Sequence, residues 1–364
     1  MKLAAFKYSF PFNHPFQVSG RTISHRKGLI LTLKYGSESL AWGEAAPLPG
    51  FSNENLNQIE KILIEQAAAI ESKIDQQLDF GGWSCFLDTL HLPPSLRFGL
   101  DTLFADFHSR QQKISFSNYF YPGSSDIVPV NAAIGISSIE NAIEKTSEFW
   151  NAGYRTFKFK VGRNFQRESE ILKTVRQRFP FVKIRIDANQ AWTLEEAVRN
   201  LQTLNSLQIQ YCEEPLLTPY LSNWKKLSKE TSIPLAADES VTDFEYTTAI
   251  LNAQSVRTLV LKPMRLGSIQ KLIKIKNLAE GYKVNIVFTT FMESGVGRLA
   301  TGHLASGLKN PLAQGLATGY LLKKDLWQDS RYIKKANFQL PRRAGLGISN
   351  EDMNLKKLKR VPIH

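Results

Sequence analysis

The alternation of apolar and polar positions divides the chain into two regimes. Over residues 1 to about 120, LAAFKYSFPF, GLILTLKYG and SLAWGEAAP alternate or cluster as antiparallel strands do, with polar or glycine-bearing turns between them. LNQIEKILIEQAAAIESKI then carries Ile59, Ile62, Leu63 and Ala67 on one stripe, the spacing of an amphipathic helix. A second helix is predicted over SLRFGLDTLFADFHSR, with Ser95 as its cap and Leu100, Leu103, Phe104 and Phe107 at helical spacing. Strands followed by helices predict an α+β module, separate from what comes next.

From Val128 short β-rich runs alternate with helical stretches. Strands are predicted at 128–134, 154–161, 183–188, 208–214, 234–237, 257–262, 284–289 and 313–317, with helices between them, for example at 138–151, 166–179, 194–205 and 268–280. Eight strands in this order, with short loops, favour a closed barrel of the TIM type. An open doubly wound sheet is the alternative, but no G-x-G-x-x-G turn follows the first strand. The C-terminal stretch breaks the repeat; FQLPRRAGLGI is predicted as a strand that returns to the N-terminal module. The expected organisation is an α+β capping domain over 1–125, a catalytic barrel over 126–329 and a C-terminal return over about 330–364.

Composition changes this picture little. The 364 residues are 43% hydrophobic and 22% charged, enough for a large core without covalent staples. Two cysteines, Cys85 and Cys212, form no framework and suit a reducing cytoplasm. The N-terminus lacks the continuous apolar stretch of a secretory signal, and no run is long enough to span a membrane. The net charge of +13 raises nucleic acid as a partner. The basic residues are nevertheless spread along the chain, with modest clusters at Lys271–Lys276, Lys323–Lys324 and Lys356–Arg360, which fits a basic surface around an anionic small-molecule substrate better.

The chemistry lies in the spacing of charged residues at the ends of the predicted strands. FKFKVG supplies Lys158 and Lys160, IRIDANQ Asp187, YCEEP Glu213, AADES Asp238 and LVLKPMRLG Lys262; from Lys160 the steps are 27, 26, 25 and 24 residues. About 25 residues is one strand, one helix and two short loops. Each group therefore falls at the same end of successive parallel strands, where the βα loops of a barrel converge. Singly, a K-x-K is commonly a solvated face and an aspartate after a strand commonly a helix cap. Jointly they form a hard-oxygen site without histidine or cysteine, which favours Mg²⁺ or Mn²⁺ over zinc or copper. Lys158 and Lys160 alternate with Phe157 and Phe159 and share a face, so each is expected to depress the pKa of the other. Such a set suits abstraction of a proton α to a carboxylate.

The order K-x-K, D-x-N, E-E-P, D-E-S, K-P resembles the muconate-lactonizing subgroup of the enolase superfamily, for which a lysine or histidine base beside one or two Mg²⁺ ions is an established pattern. The resemblance covers nearly the whole chain and implies a modified (β/α)7β barrel beneath an α+β cap. GEAAPLPGFSNE looks like the capping segment, with Leu48–Phe51 excluding water and shaping specificity. PSLRFGLD, TTFMESGVG and AQGLATGYL are similar to the branch that dehydrates a cyclohexadiene carboxylate.

On that resemblance Asp187, Glu213 and Asp238 bind the metal, Lys160 is the base, Lys262 the opposing cation or second base, and Lys158 tunes Lys160. Asn189 and Glu239 orient ligands and lysines, while Ser294, Gly295 and Gly319 contact the substrate's succinyl end. Dipeptide epimerases of the subgroup carry an Asp-x-Asp after the eighth strand; here LATGYLLKKD has no acid before Asp325. Racemisation of N-acylamino acids on the same site is the nearest rival, muconate cycloisomerisation the next. A barrel without catalysis, serving as a basic binding protein, is the alternative of a different class. Barrels of this kind often associate, so a homo-oligomer is compatible with the sequence. Arg298 has no role on this reading, and Cys212 is expected in the core.

Overall fold

The structure is a computed structural model that describes residues 1–363 apart from 19–20, 36–38, 77, 136–137, 218–219, 310–311 and 328–330. The predicted boundary at 329–330 lies outside the described residues. An antiparallel sheet opens the chain: β1 (Lys2–Val18), β2 (Arg21–Tyr35) and β3 (Ser39–Ala45) pair in sequence order, with an irregularity between Pro11 and Phe16. Four helices follow: α1 (Leu56–Asp75), α2 (Phe80–Thr89), α3 (Pro94–Gln111) and α4 (Phe116–Phe120). Asn55 and Gln58 close a capping box on α1. Ser95 does not cap α3. The helix starts one residue earlier, with Pro94 in the first turn, where a missing N–H costs nothing.

Helix α3 is buried on almost every side, as expected of a helix between two layers. Against the cap, the Asp106 carboxylate accepts the Trp42 amide at 2.8 Å; against the second layer, Asp101 accepts the Ile269 amide at 2.9 Å. Strand and helix approach through glycines: a Cβ on Gly43 would fall 2.2 Å from the carbonyl oxygen of Gly99. In α2, Trp83 stacks on Phe104 of α3 with ring centroids 4.5 Å apart, which places it in the packing of the cap rather than on a ligand surface.

The second layer begins after β4 (Ile127–Pro129) with β5 (Ala132–Ile134), followed by α5 (Ile139–Asn151), β6 (Thr156–Lys160), α6 (Phe165–Arg178), β7 (Lys183–Asp187), α7 (Leu194–Leu204), β8 (Ile209–Glu213), α8 (Leu221–Glu230), β9 (Leu235–Ala237), α9 (Phe244–Asn252), β10 (Thr258–Leu261), α10 (Pro263–Leu266), α11 (Ile269–Gly281), β11 (Asn285–Phe288) and α12 (Gly295–Ala305). Strands β5 to β11 pair in parallel and in chain order. The expected eighth strand is reduced to two parallel bridges, Val130 with Gln314 and Thr289 with Gly315, which join the two edges of the seven-stranded sheet. Gln314 reinforces this seam by accepting the Phe288 amide on its side-chain oxygen at 2.7 Å.

Two expectations are corrected at the ends of this layer. The predicted strand 128–134 is divided, because β4 turns away to pair with β13 (Asn337–Gln339), itself paired with β12 (Ile333–Lys334). FQLPRRAGLGI is extended only over that short β13: Pro341 has no amide to offer, and Gly345 and Gly347 take left-handed φ of 68° and 75°. Beyond β13 the stretch does return to the N-terminal module, where Gly345 bridges Ser115 and the Leu346 amide donates to Asp106 of α3 at 2.6 Å. A further return is made by β14 (Lys359–Arg360), which pairs with Phe6 and Lys7 on the outer edge of β1. Among the described residues, no helix is long and apolar enough to cross a membrane.

Gly43→Ala forces β3 away from the α3 backbone, which cannot yield as a side chain can. The expected loss is about 3 kcal/mol of stability, at the upper end for overpacking, measured by urea unfolding against wild type.

Candidate active site

Three of the five spaced residues close a β-strand, Lys160 on β6, Asp187 on β7 and Glu213 on β8, while Asp238 and Lys262 stand one residue beyond β9 and β10. Adjacent registers pair Lys160 with Asp187 and Asp187 with Glu213, which puts these groups at one level of one end. Counting the bridging segment as the eighth member of the ring, β6 and β10 are four places apart and so face each other. The three acids occupy the strands between the two lysines.

The side chains converge on a cavity of about 210 Å³, lined at its polar end by Lys158, Lys160, Asp187, Glu213, Asp238 and Lys262. Lys158 bridges Asp187 at 3.0 Å and Glu213 at 2.9 Å. Lys262 pairs with both oxygens of Asp238. Lys160 stands 3.4 Å from Asp187, donates to Asn189, and keeps 59% of its side chain exposed against 19% for Lys158 and 17% for Lys262. Of the three ammonium groups it is the most accessible.

Charge balance governs protonation here. Burial alone would lower the Lys158 pKa, but the Asp187 and Glu213 carboxylates outweigh it and hold the ammonium well above its ordinary value. Lys262 is likewise raised, burial being overcome by Asp238 and Glu239. The expected mutual depression of Lys158 is thus overturned, because carboxylates rather than lysines are its nearest neighbours. For Asp187 burial works upward, yet Lys158 and Lys160 together bring it to about 2. Burial and then the Asp187 charge push Glu213 up to about 8.

Glu213 rather than Glu214 faces the cavity. The Glu214 carboxylate turns to the next loop, accepting the amides of Asp238 at 2.8 Å and Ser240 at 3.1 Å together with the Ser240 hydroxyl. Asn189 and Gln190 take left-handed φ of 44° and 61°, a conformation asparagine tolerates better than most residues. This folds the Asn189 amide over Asp187, at 3.2 Å from its carboxylate, while the side chain links Lys160 to Glu239 at 2.9 Å.

The acids present fit a divalent cation. All donors are hard oxygens, the Glu213 Oε2 atom is buried without a partner, and the high proton affinity of Glu213 marks a shortage of positive charge. Among the described residues the acids are not gathered into a ready cage, since the ammonium groups stand between them.

The far wall is built by Leu48, Phe51, Thr290, Phe291, Met292 and Thr318. Ser294, Gly295 and Gly319 are not on it. Ser294 gives its amide and hydroxyl to Glu44 at 2.8 and 2.6 Å, and the Gly295 amide goes to Asp325 at 3.1 Å. Spacing within M-E-S-G could not show this, because the partner lies on β3. Arg298, buried on α12, pairs with Asp325 at 2.7 Å. Cys212 is in the core, as expected. Asn131, Tyr211, Thr290 and Thr318 line the cavity without having been singled out in the sequence.

Burial and the neighbouring Glu44 raise Glu293 from 4.5 to about 7. The folded chain therefore holds this proton more tightly than the unfolded one, so the contribution is full below about pH 4.5 and is lost as pH rises through 7. Glu293→Gln should remove this slope, gaining on the order of 3 kcal/mol on wild type between pH 4.5 and 8 in urea titrations.

Residues 141–353 match the family model described as Enolase C-terminal domain-like, and residues 1–106 that described as MenC, N-terminal domain. The o-succinylbenzoate synthase of Pasteurella multocida is 27% identical over 323 residues, spanning 87% of this chain and 89% of that one. The N-succinylamino acid racemase of Thermus thermophilus is 30% identical over 229 residues, 62% of this chain and 61% of that one. The structure of a dipeptide epimerase from Cytophaga hutchinsonii, complexed with Mg and the dipeptide D-Ala-L-Val, superposes with a TM-score of 0.86 at 21% identity, covering 99% of this chain and 98% of that one. These relatives carry different reactions on one fold. The family match spans more than half of the chain and takes in every one of the spaced acids and lysines, so this protein belongs to the enolase superfamily.

Proposed function

We propose that the chain is an o-succinylbenzoate synthase, which removes water from 2-succinyl-6-hydroxy-2,4-cyclohexadiene-1-carboxylate to give 2-succinylbenzoate, a step of menaquinone biosynthesis. The observation that carries this reading is the state of Asp325. It is the first acid after the seam segment, and its carboxylate is engaged by Arg298 and by the amides of Gly295 and Leu326. Among the described residues, no acid on the far wall is left to hold a substrate ammonium, which disfavours dipeptides and suits a substrate whose charges are all negative. The match of residues 1–106 to the MenC N-terminal domain supports the same choice.

Asp187, Glu213 and Asp238 would hold Mg²⁺, with Mn²⁺ as a substitute. When bound, the cation supplies positive charge for the substrate carboxylate as electrons move onto it. Lys160, accessible and beside Asp187, takes the α-proton as a neutral amine. The electron pair left on carbon forms the ring double bond, the C–O bond breaks, and the Lys160 ammonium returns its proton to the departing hydroxyl on the same face. Lys262 on the opposed strand faces the other side of the substrate as a fixed cation. Lys158, held by two carboxylates, positions them and tunes Lys160. On this reading the chain divides into cap and barrel at about 125 and 330, and residues of both, Leu48 and Phe51 of the cap among them, line the cavity.

A second reading is racemisation of an N-acylamino acid. The opposed Lys160 and Lys262 would suit it, one removing the proton and the other returning it to the opposite face. Incubation of an N-succinylamino acid in D₂O distinguishes the two: exchange with inversion at the α-carbon supports the racemase.

Turnover of the cyclohexadiene substrate, followed by ultraviolet absorbance, should require Mg²⁺ and stop on chelation. Lys160→Ala should lose at least ~10²-fold in kcat with substrate binding retained. An active Lys160→Ala rules out this lysine as the base, and no turnover by folded, Mg²⁺-loaded protein rules out the synthase.

A further inference from the structure

Two fully buried charged residues of the cap, Glu44 on β3 and Arg26 on β2, take no part in the proton chemistry and do not line the cavity. Glu44 reaches across to the start of α12. Its carboxylate accepts from the Tyr8 hydroxyl at 2.5 Å, from the Ser294 amide and hydroxyl at 2.8 and 2.6 Å, and from the Gly297 amide at 2.7 Å. A carboxylate there meets the unpaired amides and positive end of the helix, and its bonds are charge-assisted. The space is built for it: a Cβ on Gly297 would lie 2.4 Å from Glu293 and 3.1 Å from Glu44.

Arg26 completes the connection with its guanidinium. It donates to the carbonyls of Ala46 at 2.5 Å and Pro47 at 2.6 Å, and to that of Met292 at 3.0 Å. Met292 is held at φ 57°, a left-handed backbone that its side chain disfavours and that surrounding contacts must maintain. The two residues thus grip two separate stretches of chain. One is 46–47, which leads into Leu48 and Phe51; the other is 292–297, which follows Phe291. Both stretches contribute to the far wall of the cavity, where Phe51 and Phe291 meet edge to face with centroids 6.2 Å apart.

We propose that Glu44 and Arg26 are positioning residues that lock the cap segment 46–51 to the barrel segment 291–297, so that the shape of the far wall is set by buried ion-to-backbone bonds remote from the acids and lysines. The kinetic half of this inference rests on the reading of the cavity as a site of α-proton abstraction; the structural half does not. Losing either residue frees both segments together, because each residue's bonds end on both sides or hold the side that the other grips. Ligand binding at the far wall then weakens, while the lysines and acids stay in place on their strands.

The experiment compares Tyr8→Phe, Arg26→Lys and Glu44→Gln with wild type by amide hydrogen exchange and by kinetics with the cyclohexadiene substrate and Mg²⁺. Tyr8→Phe removes a single donor and keeps the test open if a stronger variant does not fold. In Arg26→Lys and Glu44→Gln, exchange should quicken on the order of tenfold at both 46–51 and 291–297, with β6 to β10 unchanged. KM should rise on the order of tenfold with kcat within about threefold, the signature of lost uniform binding; Tyr8→Phe should shift in the same direction by less. Loosening of one segment without the other overturns the proposal, as does a fall in kcat with KM unchanged. If wild type does not turn the substrate over, the functional reading fails while the exchange data still decide the lock.

Discussion

Every other feature of the catalytic end answers to one electrostatic constraint. Asp187, Glu213 and Asp238 are almost wholly buried on three neighbouring strands, and water does not screen them from one another. Lys158 relieves part of the repulsion by lying between Asp187 and Glu213, and Lys262 relieves more at Asp238. The remainder appears as a proton affinity: Asp187 sits at about 2, Glu213 at about 8, and one buried oxygen of Glu213 has no partner. A site in this state takes up positive charge readily, either as a proton or as a hard cation. The same constraint explains why Glu214, next in the chain, turns outward to the amides of Asp238 and Ser240, where hydrogen bonds replace water.

Rigidity around these charges comes from two sources. The ring of strands sets their spacing, and its closure depends on a seam of bridges at Val130, Thr289, Gln314 and Gly315 rather than on a full eighth ladder. The cap is held to this ring by buried polar contacts as well as by apolar packing. Asp101 of α3 accepts the Ile269 amide from the barrel, while Asp106 ties the same helix to Trp42 of β3 and to Leu346 of the C-terminal return. Nearer the cavity Glu44 accepts the amides of Ser294 and Gly297, and Arg26 donates to the carbonyls of Ala46, Pro47 and Met292. Such contacts are directional, so they fix one arrangement of cap on barrel where apolar area alone would allow several.

The charged groups of the cavity and its far wall are therefore built by different parts of the molecule. The acids and lysines stand on strands or one residue beyond them, where the strand registers leave them little freedom. The far wall is made by loops, Leu48 and Phe51 from the cap and Thr290 to Met292 and Thr318 from the barrel. Relatives of different reaction on one fold fit this division, since loop residues can change without disturbing the strands.

The amino-acid sequence by itself determined the repeat, the fold class and the charged set. These follow from local periodicity: a strand–helix unit of about 25 residues places every Lys, Asp or Glu at its end on the same rim. Helix boundaries at 56–75, 139–151 and 194–204 were legible for the same reason. Only the tertiary structure decided what depends on partners far apart in the chain. Glu44 meets Ser294 across 250 residues, β4 leaves the ring for β13, and β14 pairs with the outer edge of β1. The partner of Arg298, the withdrawal of Ser294 from the cavity and the raised Lys158 belong to the same class. Periodicity reports which face a residue occupies; it carries no record of which distant charge will stand opposite, and burial beside that charge sets both hydrogen bonding and protonation.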